Sequence, residues 1–185
     1  MEMKMKTAKT LAASLVSAAV LSSFTTASFA ADVPAGVKLA PVQELVRGNG
    51  TEPASLDPHK TEGVPESNVI RELLEGLVNQ DGDGNLVPGV AESWETEDNK
   101  TFVFHLRKDA KWSNGDALTA HDFEYSFKRA VDPKTAAPYS WYLEMTTMVN
   151  AADIIDGKKD ASELAVTALD DYTLEIKLEQ ALPYF

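Results

Sequence analysis

The chain has 185 residues, of which 44% are hydrophobic and 25% charged, with a formal net charge of −12. This length allows one domain or one and a fraction, and the composition is that of a globular protein. The absence of cysteine excludes disulfide scaffolds, cysteine-based zinc sites, Fe–S clusters and thiol nucleophiles, while the acidity argues against nucleic acid or an anionic membrane as partner, because phosphate contacts need clustered Lys and Arg.

The first thirty residues have the order of a secretory signal peptide. Three lysines precede the uncharged apolar run Leu11–Leu21, and Ser28-Phe29-Ala30 places small residues at positions −3 and −1 of a cut after Ala30. The run is too short for a membrane anchor, which needs about 20 apolar residues. We therefore expect residues 1–30 to be removed after export.

Cleavage after Ala30 leaves 155 of the 185 residues, and because the removed part carries three Lys and one Glu, the net charge of the remainder is −14. A lipid-anchored exported protein needs Cys at its new N-terminus, whereas Ala31 stands there. We therefore expect a periplasmic protein that does not insert into a membrane after signal cleavage, with a solvated acidic surface.

The first half of the remaining chain predicts a strand, a helix and a second strand. Glu44–Gly48 is apolar at its centre and predicts a strand, and Pro65–Val78 has apolar residues at helical spacing. Gly82 and Gly84 indicate a turn. Thr101–Arg107 alternates apolar and polar residues and predicts a half-buried strand.

The next segment predicts a turn followed by two helices. Trp112–Asp116 contains Asn-Gly, which favours a turn. Thr119 followed by Asp122 has the pattern of a capping box at a helix start, and this helix is predicted to end at Asp132-Pro133. Tyr139–Ile155 predicts a second long helix, closed by Gly157.

A hairpin is predicted near the end of the sequence. Its strands are Leu164–Leu169 and Thr173–Leu178, joined by a turn at Asp170-Asp171. Strands and helices are mixed without strict βαβ alternation, so the predicted fold class is α/β in the broad sense, a mixed α+β arrangement.

Motifs for metals and catalysis are weak. Asp81, Asp83, Asn85 and Glu92 match four positions of a calcium loop, but Leu86 occupies the position that needs Gly, so a tight turn is favoured. His59, His105 and His121 lack metal-ligand spacing, and the sequence has no nucleophile elbow and no glycine-rich phosphate loop. We expect no metal, no cofactor and no catalytic residue, and a chain of this kind is expected to bind rather than react.

Several segments together resemble the extracytoplasmic solute-binding proteins of peptide ABC importers (family 5), and among them the oligopeptide binders. The similarity of each segment alone is modest, but the order and spacing of the segments together are specific to this family. The segments are Ser55–Lys60, Glu62–Asn68, Leu86–Trp94, Phe104–Ser113, and Thr119–Phe123 with Ser126, Arg129 and Val131–Pro133.

The resemblance implies a periplasmic-binding-protein type II fold, with two lobes around a cleft and an extra lobe found in peptide binders. Residues 31–74 are then the N-terminal part of lobe I, and residues 75–185 belong to the extra lobe, domain II. A peptide lies extended in the cleft and pairs its main chain with the protein. Hydrated pockets accept varied side chains, because bridging waters replace shape-specific contacts.

The resemblance also implies four ligand-binding residues. Glu62, Gly63 and Val64 line the peptide through main-chain groups, and Tyr139 reaches it from the extra lobe. The residues alone favour a plain loop before the helix at Glu62–Val64, and Tyr139 can equally pack beside Pro138 at a helix end.

Proteins of this family are much longer, so the chain is expected to be an N-terminal portion, either a fragment or a truncated gene product. With only one wall of the cleft, the 155-residue piece is expected to show no peptide affinity in a calorimetric titration with tri- to pentapeptides. Residues 31–74 would also lack sheet partners, so hydrogen exchange is expected to protect Phe102–Arg107 and to leave Glu44–Gly48 open.

The predicted function is a monomeric transport receptor that captures oligopeptides and delivers them to the membrane permease of an ABC importer. Within the family, dipeptides, murein peptides or another solute such as nickel or haem remain open. Outside it, a secreted hydrolase domain that uses carboxylates and a nonfunctional truncated product remain open.

Overall fold

The computed structural model describes Val33 and residues 35–185, so the predicted signal peptide, residues 1–30, lies outside the described part. The chain divides into two compact units, Met1–Val46 and Arg47–Phe185. The described residues of the first unit contain a turn and a bend, with no helix or strand among them. Across the described residues, no helix has the length and apolar character needed to cross a membrane.

The second unit contains four α-helices, one 3-10 turn and six strands. The helices are α1 Val64–Leu73, α2 Ala120–Val131, α3 Ser140–Met145 and α4 Ala151–Ile155, and the 3-10 turn is Ala161–Glu163. The strands are β1 Val78–Gln80, β2 Leu86–Pro88, β3 Ala91–Glu95, β4 Thr101–Leu106, β5 Val166–Asp170 and β6 Thr173–Lys177.

The strands form a small hairpin, β1 with β2, and an antiparallel four-stranded sheet in the order β3-β4-β6-β5. The alternation predicted at Thr101–Arg107 is confirmed, since Phe102, Phe104 and Leu106 are buried and their neighbours are not. The predicted C-terminal hairpin is confirmed as β5 and β6. In the register between the two central strands, Phe104 lies opposite Leu174.

The core lies on one face of this sheet. The buried side chains of β4 and β6 point to the same side, with Leu174 and Ile176 nearly inaccessible, because alternate residues of a strand share a face. Helix α2 packs against β5 and β6. It begins as predicted, since the Thr119 N–H donates to the Asp122 carboxylate at 2.8 Å, and it ends at Val131.

The strand predicted at Glu44–Gly48 is wrong. The segment has no strand conformation, and Leu45 and Val46 are 88% and 96% exposed. A strand needs a hydrogen-bonded neighbour to satisfy its backbone groups, and no described residue pairs with this segment. Apolar composition alone therefore gave a false indication here.

The single helix predicted over Tyr139–Ile155 is also wrong, because the structure divides it into α3 and α4. Thr147 and Asn150 have left-handed backbone angles, φ 55° and 74°, which interrupt an α-helix. Between them Met148 forms an isolated bridge with Leu178. A tertiary contact thus overrides the local helical pattern.

Two further boundaries differ from expectation. Helix α1 ends at Leu73 rather than Val78, since Leu74 is extended. The chain from Val78 to Glu95 contains the three short strands β1, β2 and β3, which the sequence pattern did not predict. Strands β1 and β2 have only three residues each, and the burial of β3 does not alternate, so the period-2 signal of a half-buried strand is weak.

Candidate functional site

The four residues predicted to bind a ligand lie together around one pocket of about 360 Å³. The Tyr139 hydroxyl donates a hydrogen bond to the Glu62 carbonyl oxygen at 3.2 Å. This contact joins the segment before α3 to the loop before α1. The pocket is lined by Pro58, Thr61, Glu62, Gly63, Val64, Ser67, Ile70 and Tyr139.

A buried glutamate shapes the loop at the start of α1. The Glu66 side chain accepts a hydrogen bond from the Ala54 N–H at 2.8 Å, and this bond lowers the pKa of the Glu66 carboxyl. A Cβ atom at Gly63 would lie 2.1 Å from Glu66 Oε2. The glycine therefore lets the carboxylate lie beneath the loop and tie it to Ala54.

The main-chain donors of this loop belong to residues that line the pocket. Among the described residues, none accepts a hydrogen bond from the N–H groups of Glu62, Gly63 or Val64, while the Gly63 carbonyl accepts from the Ser67 N–H at 3.1 Å. The first N–H groups of a helix have no partner within the helix. These donors can pair with carbonyl or carboxylate oxygens of an extended ligand.

A polar cluster beside the pocket joins the loop to α2; we call Asp57, His59, Ser126 and Arg129 the polar clamp. Arg129 binds both carboxylate oxygens of Asp57, at 2.8 and 2.6 Å. Arg129 Nη1 also lies 2.7 Å from His59 Nδ1, and Ser126 Oγ lies 3.3 Å from His59 Nε2. A two-pronged contact of this kind fixes both distance and orientation.

The clamp determines the tautomer of His59. Since Arg129 can only donate, His59 Nδ1 must accept, so the proton of the neutral ring lies on Nε2 and points to Ser126. A nucleophilic serine needs the opposite arrangement, in which Nε2 accepts the hydroxyl proton. The Ser126, His59 and Asp57 set therefore has the residue types of a hydrolase triad but the wrong proton placement.

The ionisation of the clamp follows from the same contacts. Hydrogen bonds from Arg129 hold the pKa of the Asp57 carboxyl far below its usual range. Burial, followed by the positive charge of Arg129, lowers the pKa of the His59 imidazole. Both shifts favour a charged Asp57 and a neutral His59.

An apolar groove of about 630 Å³ adjoins the pocket and shares Pro58, Thr61 and Tyr139 with it. Its walls come from the chain after α1, from α2 and from α3. The apolar side chains among them are Leu74, Leu77, Val78, Phe123, Phe127, Tyr142 and Leu143.

The weak calcium motif forms a turn in the structure. The Asp81 carboxylate accepts hydrogen bonds from the N–H groups of Asp83 and Asn85, both at 2.9 Å. No cluster of three or more His, Cys, Asp or Glu side chains suited to a metal occurs among the residues that the structure describes. His105 and His121 lie near Glu95 and Asp171, at 3.4 and 3.5 Å.

The clamp is the feature that sequence analysis missed. Asp57 and His59 lie in one of the segments on which the family resemblance rests, and Arg129 lies in another. Nothing in a single sequence indicates that residues 72 positions apart make contact. The available signal was the pair of polar side chains that flank Pro58, Asp57 and His59.

Comparison with known proteins identifies the family. Residues 85–185, more than half of the chain, match the family described as bacterial extracellular solute-binding proteins, family 5 Middle. The chain belongs to this family. The family resemblance seen in the sequence is thereby confirmed.

The relatives include binding proteins of known structure. The chain is 56% identical to the periplasmic oligopeptide-binding protein OppA of Salmonella typhimurium over 93% of this chain and 32% of that protein. The Haemophilus influenzae OppA complex with RPPGFSPFR matches with a TM-score of 0.72 and 63% identity, over 74% of this chain and 27% of that one. The Escherichia coli murein tripeptide binding protein MppA matches with a TM-score of 0.71 and 52% identity, over 72% and 26%.

The chain thus spans about a third or less of the length of these relatives. The fold is confirmed as part of the OppA and MppA type of solute-binding protein. The lobe boundary between residues 74 and 75 stays a prediction, as do the ligand roles of Glu62, Gly63, Val64 and Tyr139.

Proposed function

We propose that this chain is part of a monomeric periplasmic receptor that captures oligopeptides and delivers them to an ABC-type peptide permease. In this proposal, residues 1–30 direct export and are removed. Glu62, Gly63 and Val64 pair with the peptide main chain, and Tyr139 contacts the peptide from the opposite wall. The protein returns its ligand intact, without catalysis, metal or cofactor.

The observation that carries this proposal is the pocket that unites Tyr139 with Glu62–Val64. Main-chain donors recognise any peptide, because every peptide carries the same carbonyl groups. The relative whose structure contains RPPGFSPFR is a peptide binder, and this chain shares 63% identity with it over the matched region. Geometry and relationship therefore support the same ligand class.

A narrower ligand class is the second candidate. The MppA relative is a murein tripeptide binding protein and is 52% identical. The main-chain donors of Glu62–Val64 suit both ligands, so the two candidates differ in how strongly side chains contribute. A hydrolase is less well supported, since the cluster of Ser126, His59 and Asp57 beside the pocket has the wrong tautomer for a nucleophilic serine.

The proposal predicts weak, local binding of tripeptides by the ¹⁵N-labelled chain. Adding trilysine at millimolar concentration should move the amide resonances of Glu62, Gly63 and Val64, while affinity stays below the range of calorimetric titration. Tyr139→Ala should weaken this response about fivefold, since the lost contact is worth about 1 kcal/mol.

Tyr184→Ala is the matched control, because Tyr184 is exposed and lies outside the pocket. A parallel titration with murein tripeptide separates the two candidates: comparable responses favour a general oligopeptide receptor. Mass spectrometry should recover the tripeptide intact. No movement of the three amides, or cleavage of the tripeptide, contradicts the proposal.

A further inference from the structure

The polar clamp and the neighbouring Lys60–Thr135 contact join the loop before α1 to α2 and to the α2–α3 connection, next to the candidate pocket. On one side, Glu62 follows His59 by three residues. On the other, the Lys60 ammonium donates to the Thr135 carbonyl oxygen, and Tyr139 follows Thr135 by four residues. The loop and the α2–α3 connection are thus fixed to each other next to the pocket.

The link continues into the pocket itself. The Tyr139 hydroxyl donates to the Glu62 carbonyl, so the separation of the two walls depends on where the loop lies. The two-pronged Arg129–Asp57 contact determines that position in distance and orientation. Both side chains are less than one-third exposed, which limits competition by water.

We propose that Arg129 is a positioning residue for the peptide-binding edge Glu62–Val64, and that it acts through Asp57 and His59. The inference rests on the proposed function for the identity of the ligand. The placement of the edge itself can be measured without a ligand.

The charges around His59 make this positioning sensitive to pH. Arg129 faces His59 from α2, and Asp57 faces it from the same loop. The Ser126 hydroxyl contacts the other ring nitrogen of His59. Tyr125 interacts electrostatically with Arg129 and contributes to raising its pKa. A protonated His59 would present a donor at Nδ1 to the donor of Arg129. The 2.7 Å contact between them would then be lost.

The sign follows from the lowered pKa of His59. A group with a folded-state pKa below its unfolded value binds protons more readily when the protein unfolds, so folding opposes protonation. The clamp is complete above about pH 6.5, the ordinary histidine value. The Arg129–His59 contact is expected to be lost as the pH falls below that value through the lowered pKa of His59, while Asp57 stays charged and bound to Arg129.

The test follows the Gly63 amide resonance of the 185-residue chain between pH 7.5 and 5, without peptide. The shift should track protonation of the His59 ring. In His59→Gln, where the amide oxygen can still accept from Arg129, the Gly63 resonance should keep its neutral position and lose that titration. In Arg129→Gln, which removes the contacts to both Asp57 and His59, it should already be displaced at pH 7.5, by at least as much as the acidic form of the unsubstituted chain.

His121→Gln is the matched control, because His121 is exposed and pairs with Asp171 outside the clamp. Amides of β4 report whether each variant is folded. The same pH profile for Gly63 in the chain and in His59→Gln overturns the inference, and so does an unmoved Gly63 resonance in folded Arg129→Gln. If Arg129→Gln does not fold, the His59→Gln comparison decides alone.

A peptide titration at pH 7.5 separates this inference from the proposed function. If trilysine leaves the amides of the chain unchanged, the proposed ligand is wrong, whereas the ligand-free pH profile still decides the positioning. If the peptide binds and the pH profile is flat, the positioning is wrong and the proposed function stands.

Discussion

Gly63 is needed for space rather than for backbone freedom. Its φ is −97°, which any residue adopts, but an added Cβ would lie 2.1 Å from Glu66 Oε2. Gly63→Ala should lower the free energy of unfolding by about 1–2 kcal/mol, because the buried carboxylate must shift in a packed site. Urea denaturation measures this loss, and the Ala54 amide should show that its bond to Glu66 is broken.

Gly82→Ala is the control for this prediction. An added Cβ there meets nothing within 4 Å, so the change should stay within about 0.5 kcal/mol. Equal effects of the two substitutions would show that the Glu66 carboxylate moves freely, and that the loop does not depend on it.

At the residue scale, the site could be anticipated only in part. The family resemblance selected Glu62, Gly63, Val64 and Tyr139, and the structure brings these four together. The polar clamp could not be anticipated, because Arg129 lies 72 residues from Asp57. Such a pair follows from tertiary folding and leaves no periodicity in the sequence.

At the element scale, the two central strands, β4 and β6, should be the best protected. Strand β4 is hydrogen-bonded to β3 on one side and β6 on the other, whereas Glu44–Gly48 has no strand partner among the described residues. Native-state hydrogen exchange should therefore be slower in β4 by orders of magnitude. The edge strand β5 should fall between them, and equal protection of β4 and Glu44–Gly48 would contradict the prediction.

Elements with a strong local pattern were predicted well. Strand β4 alternates cleanly and α2 starts at the Thr119 and Asp122 pair, since both signals act within a few residues. The helix expected over Tyr139–Ile155 failed because Met148 pairs with Leu178 across the chain. Strands β1 and β2 were missed because three residues are too few to give a periodic signal, and β3 was missed because its burial does not alternate.

At the scale of the whole molecule, stability is unevenly distributed. Leu174 and Ile176 are fully buried on the sheet, while the only buried residue of α1 is the charged Glu66. Hydrogen bonds of the polar clamp, rather than apolar packing, hold the loop before α1 to α2. We therefore expect α1 to unfold locally while the four-stranded sheet stays folded.

Leu174→Ala tests this expectation and the lobe boundary predicted after residue 74. Removing a fully buried leucine should cost about 3 kcal/mol, so amides of β4 should exchange about a hundredfold faster. The exchange rates of α1 amides should change little, because these amides exchange through a local unfolding that leaves the sheet intact. The control is Leu169→Ala, at an exposed position of β5, which should leave the exchange rates of α1 and β4 unchanged. If Leu174→Ala accelerates exchange equally in α1 and β4, the two elements belong to one cooperative unit and the boundary is contradicted.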